Sequence, residues 1–461
     1  MDCVSIALEI DRPVSAQPGM FEIPPLSGEF DLDVRVFSKL WRDVHDRIGR
    51  LPEKPARTDA EAKLAHHYMV SARNARVSFL SAHAATLYRR ATANLTKFVY
   101  IDEVISSVRS LVPGLVPSAQ LLEADAGRAQ AHKEGYEIDE GLLLNHIIAD
   151  PAAGTHFCHG HLLPRPESIE LLPRYVRSGR VDLGGATLER IGEMSVVTLQ
   201  NTRFLNAEDD STLDALEFAV DLALMDRASR ACILRGARVA HRKYEGQRIF
   251  GSGINLTHLY EGKIPFRWYI KRECGFVNKM YRGLASTLTS PDEITGETLE
   301  KPWVAQVDGF AIGGACQLLL VCDYVVASDR AYMTLPARKE GIVPGFANGR
   351  LWRFVGDRIA RQAIQSERRI ECASDEGLRV CDEVVPAGQT EAAAIAAADR
   401  FLESGAVSAV ANRRGLRIGQ ETLDQFRQYL AFYARAEADC HFSPQLIGNL
   451  ERFWTSRNRA A

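Results

Sequence analysis

Two glycine-containing turns, FGSGINL at 250–256 and DGFAIGGACQLLL at 308–320, are the segments of this chain best suited to chemistry. Each follows a β-type run and precedes a helix or loop. Glycine tolerates φ values closed to other residues and lets backbone approach a ligand closely. The second turn also opens an apolar helix, whose first N–H groups lack internal partners and favour negative charge. Two such N–H groups aimed at one oxygen would stabilise an oxyanion. A glycine pair ahead of an apolar helix also serves plain tight packing, so spacing alone leaves both uses open.

A second cluster is HFCHGH at 156–161, in which His156, Cys158, His159 and His161 offer ligands for zinc or iron. Its spacing matches no common metal site, and no carboxylate pair accompanies it. The expectation is therefore no metal, with these imidazoles acting as ordinary hydrogen-bonding groups.

These segments need elements to hold them. Ala60–Ala93 has helix-type apolar spacing at Leu64, Tyr68, Val70, Phe79 and Leu80, and Tyr100 to Leu115 continues that pattern until Pro113. From Met194 the pattern changes. Val196–Leu199, Cys232–Leu234, Trp303–Val307 and Tyr324–Ala327 read as strands. Thr212–Met225 and Pro265–Leu284 read as helices, the second with proline near its start. Alternation of this kind predicts an α/β fold of βαβ-type units around a buried sheet. Residues 1–190 read as an N-terminal, mainly helical domain with a Pro-rich opening at 13–28. Residues 191–390 read as the core, and 391–461 as a C-terminal helical segment.

Composition narrows the function classes. The 461 residues are 46% hydrophobic and 25% charged, as in ordinary globular proteins. A net charge of -3 argues against a protein that neutralises nucleic acid. The opening stretch reads as no signal peptide, and no run approaches the roughly 18 apolar residues of a membrane span. Nine scattered cysteines suggest no disulfide framework and fit a reducing cytoplasm.

Taken together, GSGINL, KPWVAQVDGFAIGGACQLLLVCDYVVAS and AYMTLPARKEGIVPGFANGRLWRFVG resemble the crotonase (enoyl-CoA hydratase/isomerase) superfamily over roughly 194–390. The resemblance implies a crotonase-like ββα spiral core that binds acyl-CoA, assembled as a homotrimer or homohexamer. Carried over by position, the amides of Ile254 and Gly314 would form the oxyanion hole. Hydratases of this fold carry glutamates where this chain has Gln317 and Ala337. Neither can move a proton as a carboxylate would. Glu340 lies three positions off that register, so simple hydration is disfavoured.

The long N-terminal helical region, HGHLLPRPES, RWYIKRECGFVNKMYRGL and Gln317 resemble a narrower group, the metal- and cofactor-independent arylacetyl-CoA dioxygenases. That resemblance spans nearly the whole chain. It implies 3,5-dihydroxyphenylacetyl-CoA and O2 as substrates and an arylglyoxylate and CoA as products, in glycopeptide antibiotic precursor biosynthesis, without cofactor. By the same analogy Glu208, Arg272 and Gln317 would hold the ring hydroxyls. Glu208 also fits a plain helix N-terminal acid, and Arg272 a solvated helix residue. Arg238, Arg242 and Lys243, in the loop GARVAHRKYEGQR, are candidates for CoA phosphate contacts, against the alternative of a solvated loop. The N-terminal domain is expected to cover the site. The rival readings are a crotonase-type hydratase, isomerase or thioesterase, a metal-dependent oxygenase centred on the histidines, and a non-catalytic CoA-binding protein. None involves nucleic acid or membrane.

Overall fold

The computed structural model describes residues 21–403 and 405–455. The opening stretch that reads as no signal peptide, Cys3 and the first part of the Pro-rich segment lie outside the described residues. Thr58 and Glu61 form a reciprocal capping box that starts the long helix Asp59–Ala91. It ends where Ala93, Asn94 and Leu95 turn to positive φ. The next helix, Ile101–Leu111, stops two residues short of Pro113. Helices Ile138–Ala149, Pro151–His161 and Pro166–Ser178 follow.

The described residues then contribute ten strands: β1 (Arg180–Asp182), β2 (Ala186–Ile191), β3 (Met194–Leu199), β4 (Ala231–Gly236), β5 (Trp303–Val307), β6 (Phe310–Ile312), β7 (Tyr324–Ser328), β8 (Tyr332–Thr334), β9 (Ile370–Glu371) and β10 (Glu383–Val385). Seven of them form one sheet in the order β1-β2-β3-β4-β5-β7-β10, and β6-β8-β9 form a second. From β3 to β10 the large sheet is parallel, with Val196 opposite Ile233 and Ile233 opposite Val304. Its strands are apolar on both faces because helices cover both. Helix Asp210–Met225 connects β3 to β4. Helix Thr390–Glu403 covers the opposite face, with Ala394, Ala397 and Ala398 against Val196, Ile233 and Val304.

The sheet begins at Arg180, inside the stretch that the sequence assigns to the helical domain. Glycine and proline punctuation hides two short strands there. The two helical ends also share one layer. Asn145 on helix Ile138–Ala149 donates to the Ala431 carbonyl on helix Leu423–His441 at 2.7 Å. The main apolar core runs from Phe37 and Phe79 through Leu142 to Val197, Ala305 and Phe426.

A buried polar seam ties the N-terminal helices to this core. Lys279, fully buried, donates to Glu217 and Asp221 at 2.8 Å each. Burial opposes its charge, but the two carboxylates outweigh that and raise its pKa. Asp221 also accepts from Arg165 N at 2.7 Å and Ser168 Oγ at 2.9 Å, which anchors HGHLLPRPES. Lys279→Met leaves two buried carboxylates without their cation. A loss of about 3–5 kcal/mol is expected, read as a lower denaturation midpoint at unchanged slope.

Candidate active site

The two glycine turns meet as bare backbone. The first runs beside β6, with Gly251 N donating to Phe310 O at 3.2 Å and Ile312 N to Gly251 O at 3.0 Å. On its other side Glu208 N donates to Gly253 O at 2.7 Å and Asn255 N to Glu208 O at 2.8 Å. That bridge uses the neighbours of Ile254 and leaves the Ile254 N–H out of it. Gly314 is the first residue of helix Gly314–Leu319, where an N–H has no intrahelical acceptor. Gly253 sits at φ +77, and a Cβ there would lie 2.7 Å from Ile312 O and 3.1 Å from Gly314 N. Only glycine permits that approach. Asn255 is held by its Nδ2, which donates to Asp209 Oδ2 at 2.8 Å, and Asp209 also caps helix Asp210–Met225.

Behind these amides Arg272 uses all five of its N–H donors. It grips Glu208 with Nε at 2.6 Å and Nη2 at 3.0 Å. Nη2 also donates to Gly314 O at 2.9 Å. Nη1 donates to Glu273 Oε1 at 2.6 Å and Gln317 Oε1 at 2.9 Å. The last bond fixes the orientation of the Gln317 amide and leaves its Nε2 to donate elsewhere. Burial lowers the Arg272 pKa, but Glu208 and Glu273 overcome this and raise it far above any working pH. Glu208 and Arg272 are 1% and 2% exposed, so Arg272 is not a solvated helix residue, and Glu208 is paired with it rather than left as a plain helix N-terminal acid.

A small cavity of about 30 Å³ opens onto this cluster. Ile254, Gly314, Arg272, Glu273 and Gln317 line it, together with Trp268, Tyr269, Ala337, Glu340 and Tyr433. Burial pushes the Glu340 carboxyl up to about 7, and Glu367 adds to the rise. Among the described residues none before 190 lines this cavity, so the expectation that the N-terminal helices cover it is corrected. The outer wall comes from the C-terminal helix Leu423–His441, through Tyr433. The N-terminal helices instead support that helix from behind.

The other candidates lie apart from it. Arg238, Arg242 and Lys243 are exposed. Arg238 donates to Gly246 O at 2.9 Å, and their loop packs on β6 through Val239 and Tyr244. The histidines are engaged elsewhere. His156 Nδ1 meets the Tyr88 hydroxyl at 3.0 Å, His159 Nε2 meets Ser286 O at 3.1 Å, and His161 bonds Phe157 O and Ile101 N. Among the described residues no three His, Cys, Asp or Glu side chains converge as a metal site.

Two site residues escape a reading of the sequence. Glu273 follows Arg272 directly, so a regular helix would turn it about 100° away. Both residues keep helical dihedrals, and Arg272 Nη1 reaches across to the Glu273 carboxylate. The helix predicted over Pro265–Leu284 is interrupted just after them. A π-turn at Glu273–Val277, with Gly275 at ψ -117, separates helices Arg267–Arg272 and Asn278–Arg282. Tyr433 is one of many aromatics in its segment and carries no local signal.

With a parallel sheet, paired glycine turns and the match of residues 189–432 to the Enoyl-CoA hydratase/isomerase family, the chain belongs to that family. Among its relatives is the (3,5-dihydroxyphenyl)acetyl-CoA 1,2-dioxygenase of Amycolatopsis orientalis, 41% identical over 431 residues, or 93% of this chain and 98% of that protein. The short-chain-enoyl-CoA hydratase of Clostridium acetobutylicum is 29% identical over 56% of this chain and 90% of its own length. A solved enoyl-CoA hydratase from Mycobacterium avium subsp. paratuberculosis K-10 has a TM-score of 0.48 at 21% identity, covering 60% of this chain and 97% of that one.

Proposed function

We propose that this protein is a cofactor-independent dioxygenase that converts 3,5-dihydroxyphenylacetyl-CoA and O2 to 3,5-dihydroxyphenylglyoxylate and CoA. The observation that carries the reading is the likeness to the Amycolatopsis dioxygenase, which extends through the N-terminal helices well beyond the family's own domain. The amides of Ile254 and Gly314 receive the thioester oxygen and stabilise the enolate that forms when the α-proton leaves. Gln317 Nε2 is free to meet a ring hydroxyl. The Glu208–Arg272 pair, expected to do the same, instead spends its donors and acceptors internally and holds the Gln317 amide and Gly314 O in place. The electron-rich enolate passes one electron to O2, and recombination gives an α-peroxide. The peroxide attacks the thioester carbonyl and CoA leaves as its thiolate. Cleavage of the O–O bond, with loss of the second α-hydrogen as a proton, yields the α-keto acid. Both oxygen atoms stay in the product.

Arg238, Arg242 and Lys243 serve the CoA phosphates. The enzyme works in the cytoplasm as a homotrimer or homohexamer and supplies a precursor of glycopeptide antibiotics. The test is O2 uptake by chelator-treated protein given the thioester, with free thiol followed in parallel. Matched uptake and thiol release are expected. Thiol release without uptake would make it a thioesterase, and activity restored only by iron would overturn the cofactor-independent reading.

A further inference from the structure

We propose that Glu273 is the base that takes the α-proton, bringing from the interrupted helix the carboxylate that position 317 lacks. The inference rests on the enolate chemistry just described. Its first support is position. The same Arg272 Nη1 donates to Glu273 Oε1 and Gln317 Oε1, and a Cβ on Gly345 would lie 2.6 and 2.5 Å from those two oxygens. Glu273 and Gln317 thus face one point on the wall of the cavity that Ile254 and Gly314 also line. Gln317 is three residues from Gly314, where hydratases of this fold carry a glutamate. A carboxylate arrives at that place from another element.

Charge is the second support. One guanidinium faces two carboxylates. Glu208 takes the two-pronged grip and is matched by it, while Glu273 holds Arg272 through one oxygen only. Arg350 is the next cation, but Glu421 engages it at 2.9 and 2.7 Å. The remaining titratable neighbours are Tyr429, Tyr433 and Glu437, none of which adds positive charge. Burial raises the Glu273 pKa against the pull of Arg272 and Arg350. A carboxylate so placed accepts a proton more readily than an ordinary one. Glu340 shares the cavity, but its charged neighbours are Lys339 and Glu367 rather than Arg272, which joins Glu273 to Gln317.

In the step itself the Cα–H bond breaks and its proton goes to the Glu273 carboxylate. The bonding pair becomes the enolate, with its charge on the oxygen between the two amides. No oxidant takes part, so the step is separable from the chemistry of O2.

The experiment is anaerobic exchange of the α-hydrogens of 3,5-dihydroxyphenylacetyl-CoA in D2O, followed by mass spectrometry. Wild-type protein is expected to exchange them, faster as pH rises through the Glu273 titration. Glu273→Gln should slow exchange by at least ~100-fold and flatten that profile. It should still bind 3,5-dihydroxybenzoyl-CoA, which has no α-hydrogen. Exchange by Glu273→Gln at the wild-type rate overturns the proposal. If that variant no longer binds the probe, Glu273→Asp decides. Slowed exchange that keeps its rise with pH supports the proposal, and a wild-type rate overturns it. Wild-type protein that binds the thioester but exchanges nothing sinks the enolate reading itself and this proposal with it.

Discussion

Gly314→Ala is expected to lower kcat/KM for O2 uptake by at least ~1000-fold, since one oxyanion donor alone is worth about 10²–10³. Two effects of the added methyl coincide. It would collide with Glu208 Oε1 and lie 3.1 Å from Arg272 Nη2. Neither partner can yield cheaply, because Glu208 is gripped at 2.6 and 3.0 Å and Arg272 has every donor engaged. The helix start must therefore retreat, taking the Gly314 amide away from the oxygen it is proposed to hold. A CoA thioester should still bind, since nothing here touches the loop of Arg238, Arg242 and Lys243. The comparison to make is kcat against Kd for the thioester. Retention of most of the activity would mean that the Gly314 amide does not stabilise the reacting oxygen.

Arg272→Met should be the most damaging single change for both stability and activity. It leaves Glu208 and Glu273, 1% and 2% exposed, with no shared cation. Breaking a buried ion pair in this way costs about 3–5 kcal/mol. The deficit carries a pH signature. Without Arg272 the buried Glu273 carboxyl, already raised by burial, titrates higher still in the folded than in the unfolded chain. The folded state then binds more protons, and stability falls as pH rises. Acidification from roughly pH 8 to pH 5 should therefore narrow the gap to wild type in denaturation experiments. A gap that widens on acidification would mean the carboxylates are not left unpaired. Arg272→Lys should not rescue activity, because three donors on a point charge cannot meet the acceptors that a planar guanidinium reaches.

Several elements are legible in the chain itself. The strand predicted at Trp303–Val307 has those bounds, and the helix predicted at Ala60–Ala93 appears as Asp59–Ala91. Apolar periodicity and capping residues act within a few positions, so they can be read locally. The family resemblance of the two glycine turns is legible for the same reason. A turn needing positive φ and close backbone approach must write glycine into its own few residues.

The environment of the charges is another matter. Glu208 and Arg272 are equally compatible with a helix N-terminus and a solvated helix face until elements 64 residues apart close on each other. Glu273 enters the site because one Arg272 nitrogen joins it to Gln317, 45 residues further along the chain from Arg272. Tyr433 enters because the last long helix packs against one from the N-terminal region and is carried over the cavity. The chain alone therefore determined where bare backbone could stabilise an anion, and that a glutamine stands where hydratases of this fold have an acid. Tertiary structure alone decided which carboxylates are buried, which one shares a cation, and what walls the cavity. Burial and pairing depend on distances between elements far apart in sequence, and no local pattern encodes those distances.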